Sequence, residues 1–151
     1  MKNLRMGDRV PDFSLLDQTS TTVTRDTLLA RGPLVLYFYP KDDTTGCRKE
    51  ACSFRDAFEA FSDLGASVVG VSSDDPASHA HFAEKHRLPF TLLSDPGGTL
   101  RKHFGVPKTW GFIPGRVTYI IDRDGVIRYV FSSMFAPEKH ITEALRILRA
   151  L

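Results

Sequence analysis

Hydrophobic and polar positions divide this chain into short segments whose spacing predicts its elements. Between Phe13 and Thr24, brief apolar runs are interrupted by Asp17-Gln18-Thr19-Ser20, which predicts a small hairpin. Leu34-Val35-Leu36-Tyr37-Phe38-Tyr39 is an unbroken apolar run, the pattern of a strand buried on both faces, and Pro40 ends it. Phe54, Ala57, Phe58 and Phe61 then fall at i, i+3, i+4 and i+7, predicting an amphipathic helix closed by Gly65.

Val68-Val69-Gly70-Val71 predicts a second strand, and Asp75-Pro76 caps and opens a helix running to about Arg87. Phe90 to Leu93 reads as a short strand, followed by a short helix from Asp95-Pro96 that Gly105 stops. Val117 to Ile121 and Val126 to Phe131 flank Asp122-Arg123-Asp124-Gly125, a hairpin signal. Pro137 opens a last helix with Ile141, Ala144, Leu145 and Leu148 on one face. Early alternation of strands and helices implies a parallel βαβ unit, and the late hairpin adds antiparallel strands. The expected class is α/β, a mixed central sheet with helices on both faces, as in thioredoxin-like folds.

At 151 residues the chain has room for one domain, expected over residues 1–151. With 42% hydrophobic and 25% charged residues it is neither disordered nor a disulfide scaffold. No apolar run approaches the roughly 20 residues that span a bilayer, so no membrane is expected. Met1-Lys2-Asn3-Leu4-Arg5 lacks the apolar core of a secretory signal, and the expected compartment is the cytoplasm. A net charge of +2, with both signs interspersed, gives no footprint for nucleic acid.

Two cysteines in such a chain do not make a permanent staple. Cys47 lies seven residues before Phe54, about 20° off the buried face of an ideal helix. It also falls at the first helical turn, beyond the carboxyl end of a buried strand, where open α/β sheets place ligands. Free N–H groups and the helix dipole favour an anion there, and a thiolate is one. On position alone, Cys47 reads equally as a nucleophile or as a small buried hydrophobe.

Cys52 is five residues further on. In a regular helix that spacing separates Cα atoms by about 8.7 Å, whereas a disulfide needs roughly 4.4–6.8 Å. The two cannot bond while the helix is intact, so its first turns must unwind if they do. A metal site lacks ligands, and His79, His81 and His86 on the next helix read as exposed surface. In the preceding loop, Gly46 permits close backbone approach and Thr44 offers a hydroxyl three residues before the sulfur. The same Thr-Gly stretch also reads as an ordinary N-cap.

Tyr37-Phe38-Tyr39-Pro40-Lys41-Asp42-Asp43-Thr44-Thr45-Gly46-Cys47 resembles the active-site segment of peroxiredoxins, whose pattern is P-x-x-x-T-x-x-C. With Glu50-Ala51-Cys52-Ser53-Phe54-Arg55-Asp56, Pro114-Gly115-Arg116-Val117-Thr118-Tyr119 and Phe135-Ala136-Pro137-Glu138-Lys139-His140, the chain is similar to the bacterioferritin comigratory protein, or peroxiredoxin Q, subfamily. The likeness runs from Gly7-Asp8 to the last helix.

The resemblance implies that Cys47 attacks a peroxide oxygen and becomes a sulfenic acid. It implies that Thr44 and Arg116 hold the peroxide and polarise its O–O bond, and that Pro40 shields the sulfur from water. Cys52 matches the resolving cysteine, and Glu50 a residue that orients the arginine. The substrates implied are hydrogen peroxide and organic hydroperoxides. The partner implied is thioredoxin or a similar dithiol, acting on a monomer without metal, haem, flavin or other cofactor. Thr45 stands where many relatives have proline, and Arg48 where a small polar residue is usual. Trp110, Phe112 and Phe135 fit either an apolar rim for organic hydroperoxides or ordinary packing. The competing readings are a thioredoxin-type reductase, which would show C-x-x-C, and a non-catalytic redox-sensing adaptor on the same fold.

Overall fold

The computed structural model describes residues 4–106, 108–109, 113–114, 116–132 and 137–151. The chain opens with β1 (Ser14–Asp17) and β2 (Thr22–Thr24), joined by a turn in which Asp17 Oδ1 accepts from the N–H groups of Thr19 and Thr21. Thr24 then accepts from the Thr27 N–H and caps α1 (Arg25–Leu29). Five residues are too few to show a helical period, so the sequence gives no sign of this helix.

β3 (Leu34–Phe38) follows, with every residue buried. Next come α2 (Thr45–Asp56), α3 (Phe58–Asp63), β4 (Ser67–Ser72), α4 (Pro76–His86) and β5 (Thr91–Ser94). A 3-10 turn (Pro96–Gly98) leads into α5 (Thr99–Phe104). The remainder is β6 (Lys108–Thr109), β7 (Ile113–Pro114), β8 (Val117–Ile121), β9 (Ile127–Ser132) and α6 (Pro137–Ala150).

Among the described residues, seven strands form one sheet in the order β2-β1-β5-β4-β3-β8-β9. The central β5, β4 and β3 run parallel, and antiparallel strands complete both sides. β3 explains the two-sided core. Leu34, Leu36 and Phe38 pack with Leu28 of α1 and Leu100 and Phe104 of α5. Val35, Tyr37 and Tyr39 pack on the other face with residues of α2, α3, α4 and α6. The result is the mixed thioredoxin-like sheet, covered by helices on both faces, that the element order implies. Among the described residues, no helix is long and apolar enough to cross a membrane.

Two expectations need correction. The single helix expected through Phe61 is broken at Ala57, whose φ of −95° and ψ of 5° leave the helical region. In a straight helix Phe54 and Phe61 would be roughly 10.5 Å apart along the axis. With the break, both rings are buried and their centroids meet at 5.5 Å. Tertiary packing has overridden the local period. His79, expected at the surface, is fully buried because it hydrogen-bonds to the loop before α2 and to β5.

Gly70 shows how the sheet admits a large ring beneath the cysteine helix. It pairs with Tyr37 across β3 and β4, and a Cβ there would lie 2.8 Å from the Tyr37 Cζ and hydroxyl. Tyr37 in turn stacks on Phe54 of α2 at 4.6 Å. Burying Phe54 contributes about 2–3 kcal/mol, which fixes the face that α2 presents to the sheet.

Candidate active site

The loop from β3 ends at Thr44, the extended N-cap of α2 (φ −77°, ψ 157°). Its carbonyl accepts from the Arg48 N–H at 2.8 Å, which starts the helix. Its hydroxyl does not cap the helix but donates to the Lys41 carbonyl at 3.1 Å. Among the described residues no side chain caps the first-turn N–H groups, and the positive end of the dipole is directed at the region of Cys47.

Cys47 is 1% exposed and packs among the apolar residues between α2 and the sheet. Arg116, just before β8, reaches it past Gly46. Nη2 of Arg116 donates to Cys47 Sγ at 3.4 Å, and Nη1 donates to Glu50 Oε1 at 2.5 Å. One planar guanidinium thus bridges the sulfur and a carboxyl group of the same helix. Gly46 makes the approach possible, since a Cβ there would lie 2.9 Å from Nη2.

Glu50 is fully buried, and burial pushes its pKa up to about 8 despite the lowering effect of Arg116. Burial thus favours the neutral carboxyl group more than it would in an exposed glutamate, and the group accepts from the guanidinium that reaches the sulfur. Its other oxygen lies 3.5 Å from His140 Nδ1 of α6, and that nitrogen is 2.6 Å from Thr118 Oγ1 of β8.

Cys52 lies on the same continuous helix, half-buried and unbonded to Cys47. Pro40 is half-buried at the start of the loop, and Thr44 is exposed. Arg48 is exposed, 3.8 Å from Asp43. The structure therefore brings Cys47, Gly46, Glu50 and Arg116 into contact, with Thr44 and Pro40 in the adjoining loop and Cys52 further along α2. Trp110, Phe112 and Phe135 lie outside the described residues.

Three buried groups near the site escape a linear reading. His140 and Thr118 stand behind Glu50. Arg101 of α5 is buried and donates to the Tyr39 carbonyl at 2.8 Å, at the start of the cysteine loop. The arginine follows Asp95, whose carboxylate accepts from the N–H groups of Leu100 and Arg101. The Asp95-Pro96 helix start was the available signal, but it did not indicate which side chain would turn inward.

A thioredoxin-like sheet that sets a buried cysteine at a helix entrance, with an arginine on its sulfur, defines a protein built for thiol chemistry. Residues 6–130 match the AhpC/TSA family, and the chain belongs to that family. It is 51% identical over 146 residues to a chloroplastic peroxiredoxin Q of Triticum aestivum, spanning 96% of this chain and 67% of the relative. The corresponding protein of Oryza sativa subsp. japonica is 50% identical over 146 residues, with 96% and 67% covered. The peroxidoxin BcpB structure from Mycobacterium tuberculosis is 44% identical and covers 99% of both chains with a TM-score of 0.92. These likenesses support a thiol peroxidase, an enzyme with a peroxide substrate and a reductant.

The same relatives overturn the cytoplasmic expectation. Those from Triticum and Oryza are named chloroplastic, a compartment other than the cytoplasm. Neither composition nor the chemistry of the site encodes a compartment, so the expectation had no physical anchor in the fold.

Proposed function

We propose that Cys47 is the peroxidatic nucleophile of a cycle completed by Cys52 within one chain. The observation that carries this reading is the 3.4 Å contact between Arg116 Nη2 and Cys47 Sγ at the uncapped start of α2. In the first step the Cys47 thiolate attacks one peroxide oxygen. An S–O bond forms as the O–O bond breaks, and the departing hydroxide or alkoxide takes a proton. Sulfur is oxidised by two electrons to the sulfenic acid, and the peroxide is reduced to water or an alcohol. Negative charge builds on the leaving oxygen, so Arg116, the free N–H groups and the Thr44 hydroxyl, once it turns from the Lys41 carbonyl, stabilise the transition state more than the ground state.

Glu50 holds Arg116 in place, Gly46 gives it room, and Pro40 screens the sulfur from water. In the second step the start of α2 unwinds. The Cys52 sulfur displaces water from the sulfenic acid and forms the disulfide. Thioredoxin or a similar dithiol then restores both thiols by exchange and leaves oxidised. The chain needs no cofactor for these steps, and with both cysteines in one helix it works as a monomer. Intact mass after one equivalent of peroxide tests the cycle. The expected product is a single chain lighter by two hydrogen atoms, and loss of all peroxide consumption in Cys47→Ser. Undiminished consumption in that variant defeats the reading.

A further inference from the structure

We propose that His79 of α4, acting through Asp42, is a positioning residue for peroxide reduction and holds loop 40–44 in register with Cys47. The inference rests on Cys47 being the peroxidatic sulfur.

Asp42 sits in the middle of that loop, yet its side chain is buried. A buried carboxylate needs donors, and Asp42 has three. The Tyr39 hydroxyl donates to Oδ1 at 2.5 Å, the Ser78 hydroxyl donates to Oδ2 at 2.9 Å, and His79 Nδ1 lies 2.7 Å from Oδ2. The Asp42 N–H donates to Asp74 Oδ2 at 2.8 Å, and Asp74 is itself fixed by the Ser72 hydroxyl at the end of β4. Backbone and side chain of this loop residue are therefore both tied to the body of the protein.

His79 supplies the link to the sheet. Its Nε2 is 2.9 Å from the Leu93 carbonyl of β5. A carbonyl only accepts, so Nε2 carries a hydrogen and the ring orientation is fixed. Nδ1 then faces the Asp42 carboxylate at 2.7 Å. The path runs from β5 through the imidazole to Asp42 and into the loop. Asp42, Asp74 and His79 offer ligand atoms within 4.8 Å of one another, as cation ligands would. Because Nδ1 and Oδ2 already touch at 2.7 Å, the group is a hydrogen-bonded strut.

The next residue shows what the strut sustains. Asp43 has a left-handed backbone (φ 60°), which a non-glycine residue keeps only when its surroundings hold it there. On its outer side the carboxylate accepts from Lys85 Nζ at 2.6 Å and pairs with His86 Nε2 at 2.9 Å. Helix α4 thus holds the loop at two adjacent residues, Asp42 within and Asp43 without. The turn they make delivers Thr44 and the uncapped first turn of α2.

The strut orders donors for the peroxide rather than the sulfur itself, and this separates it from a merely structural role. In wild type, His79→Ala and His79→Asn, two rates at Cys47 are compared. One is peroxide loss in a single turnover, and the other is iodoacetamide alkylation read at the Cys47 peptide. We expect His79→Ala to slow the peroxide reaction roughly tenfold or more while alkylation stays within about twofold. His79→Asn, whose amide can donate to Asp42, recovers most of the lost rate. A peroxide rate unchanged in His79→Ala overturns the proposal, as does a parallel fall of both rates or a failure of Asn to improve on Ala. If His79→Ala does not fold, Asp42→Asn carries the same comparison, with the same selective loss expected and equal peroxide rates overturning it. Wild-type protein that consumes no peroxide through Cys47 would instead refute the proposed function.

Discussion

Gly46 and Arg116 are in contact where a side chain on the glycine would displace the guanidinium from the Cys47 sulfur. A Cβ at Gly46 would stand 2.9 Å from Nη2, the nitrogen that donates to Sγ. Gly46→Ala improves local helix propensity by up to about 1 kcal/mol. It also forces the guanidinium away and weakens a charge-assisted hydrogen bond of about 1.5–3 kcal/mol. Thermal unfolding should therefore change little while the rate of peroxide reduction falls about tenfold or more. Melting curves and single-turnover kinetics on the same preparation check both halves.

Arg116→Lys tests the fork. The guanidinium reaches Glu50 Oε1 and Cys47 Sγ at once, and an ammonium cannot present two parallel donors in that plane. The expected loss in kcat/KM for peroxide is about 10–100-fold, from the removal of one or two charge-assisted bonds. A variant within twofold of wild type would show that positive charge alone suffices.

Glu50 makes stability depend on pH in a definite direction. Its pKa rises from an ordinary 4.5 to about 8 in the folded protein, chiefly through burial. Between those values the folded state binds more protons than the unfolded state, so stability falls as pH rises. The contribution is fully present below about 4.5 and is lost as pH passes through about 8. Urea midpoints of wild type and Glu50→Gln across this window should converge toward acid and separate toward alkali, with wild type the steeper. Parallel curves would refute the assignment.

Cys52→Ser separates the two chemical steps. Formation of the sulfenic acid at Cys47 should persist, trapped by a dimedone-type reagent, while turnover with a dithiol reductant falls sharply. Unchanged turnover would make Cys52 a bystander.

Gly70→Ala reports on the packing beneath the site. The added methyl would meet the Tyr37 ring at 2.8 Å and Leu92 Cδ2 at 3.0 Å, both buried. Overpacking of this kind costs about 1–3 kcal/mol, to be read as a lower urea midpoint.

Much of this architecture is legible in local sequence because its signals are local. The six-residue apolar run of Leu34 to Tyr39, Asp75 capping α4 through the Ser78 N–H, and Gly105 ending α5 with a left-handed backbone depend on nearby residues alone. The helix break at Ala57 does not, because it is set by where the Phe54 and Phe61 rings must lie. Cys47, Gly46 and Glu50 fall within one stretch, whereas Thr118 and His140 come from distant segments. His79 misleads for a related reason. Only His79 and Phe82 are buried on α4, too narrow a stripe to mark the inner face of a helix rich in polar residues.

In the proposed cycle, the interruption at Ala57 limits how far unwinding of α2 can spread. Fraying that starts at Thr45 has at most twelve residues to consume before reaching a boundary where the ladder of hydrogen bonds is already discontinuous. Phe61, beyond that boundary, keeps its place against the sheet. A helix that unwinds as proposed is then a fuse of fixed length, yielding between the two sulfurs and leaving the wall behind it standing.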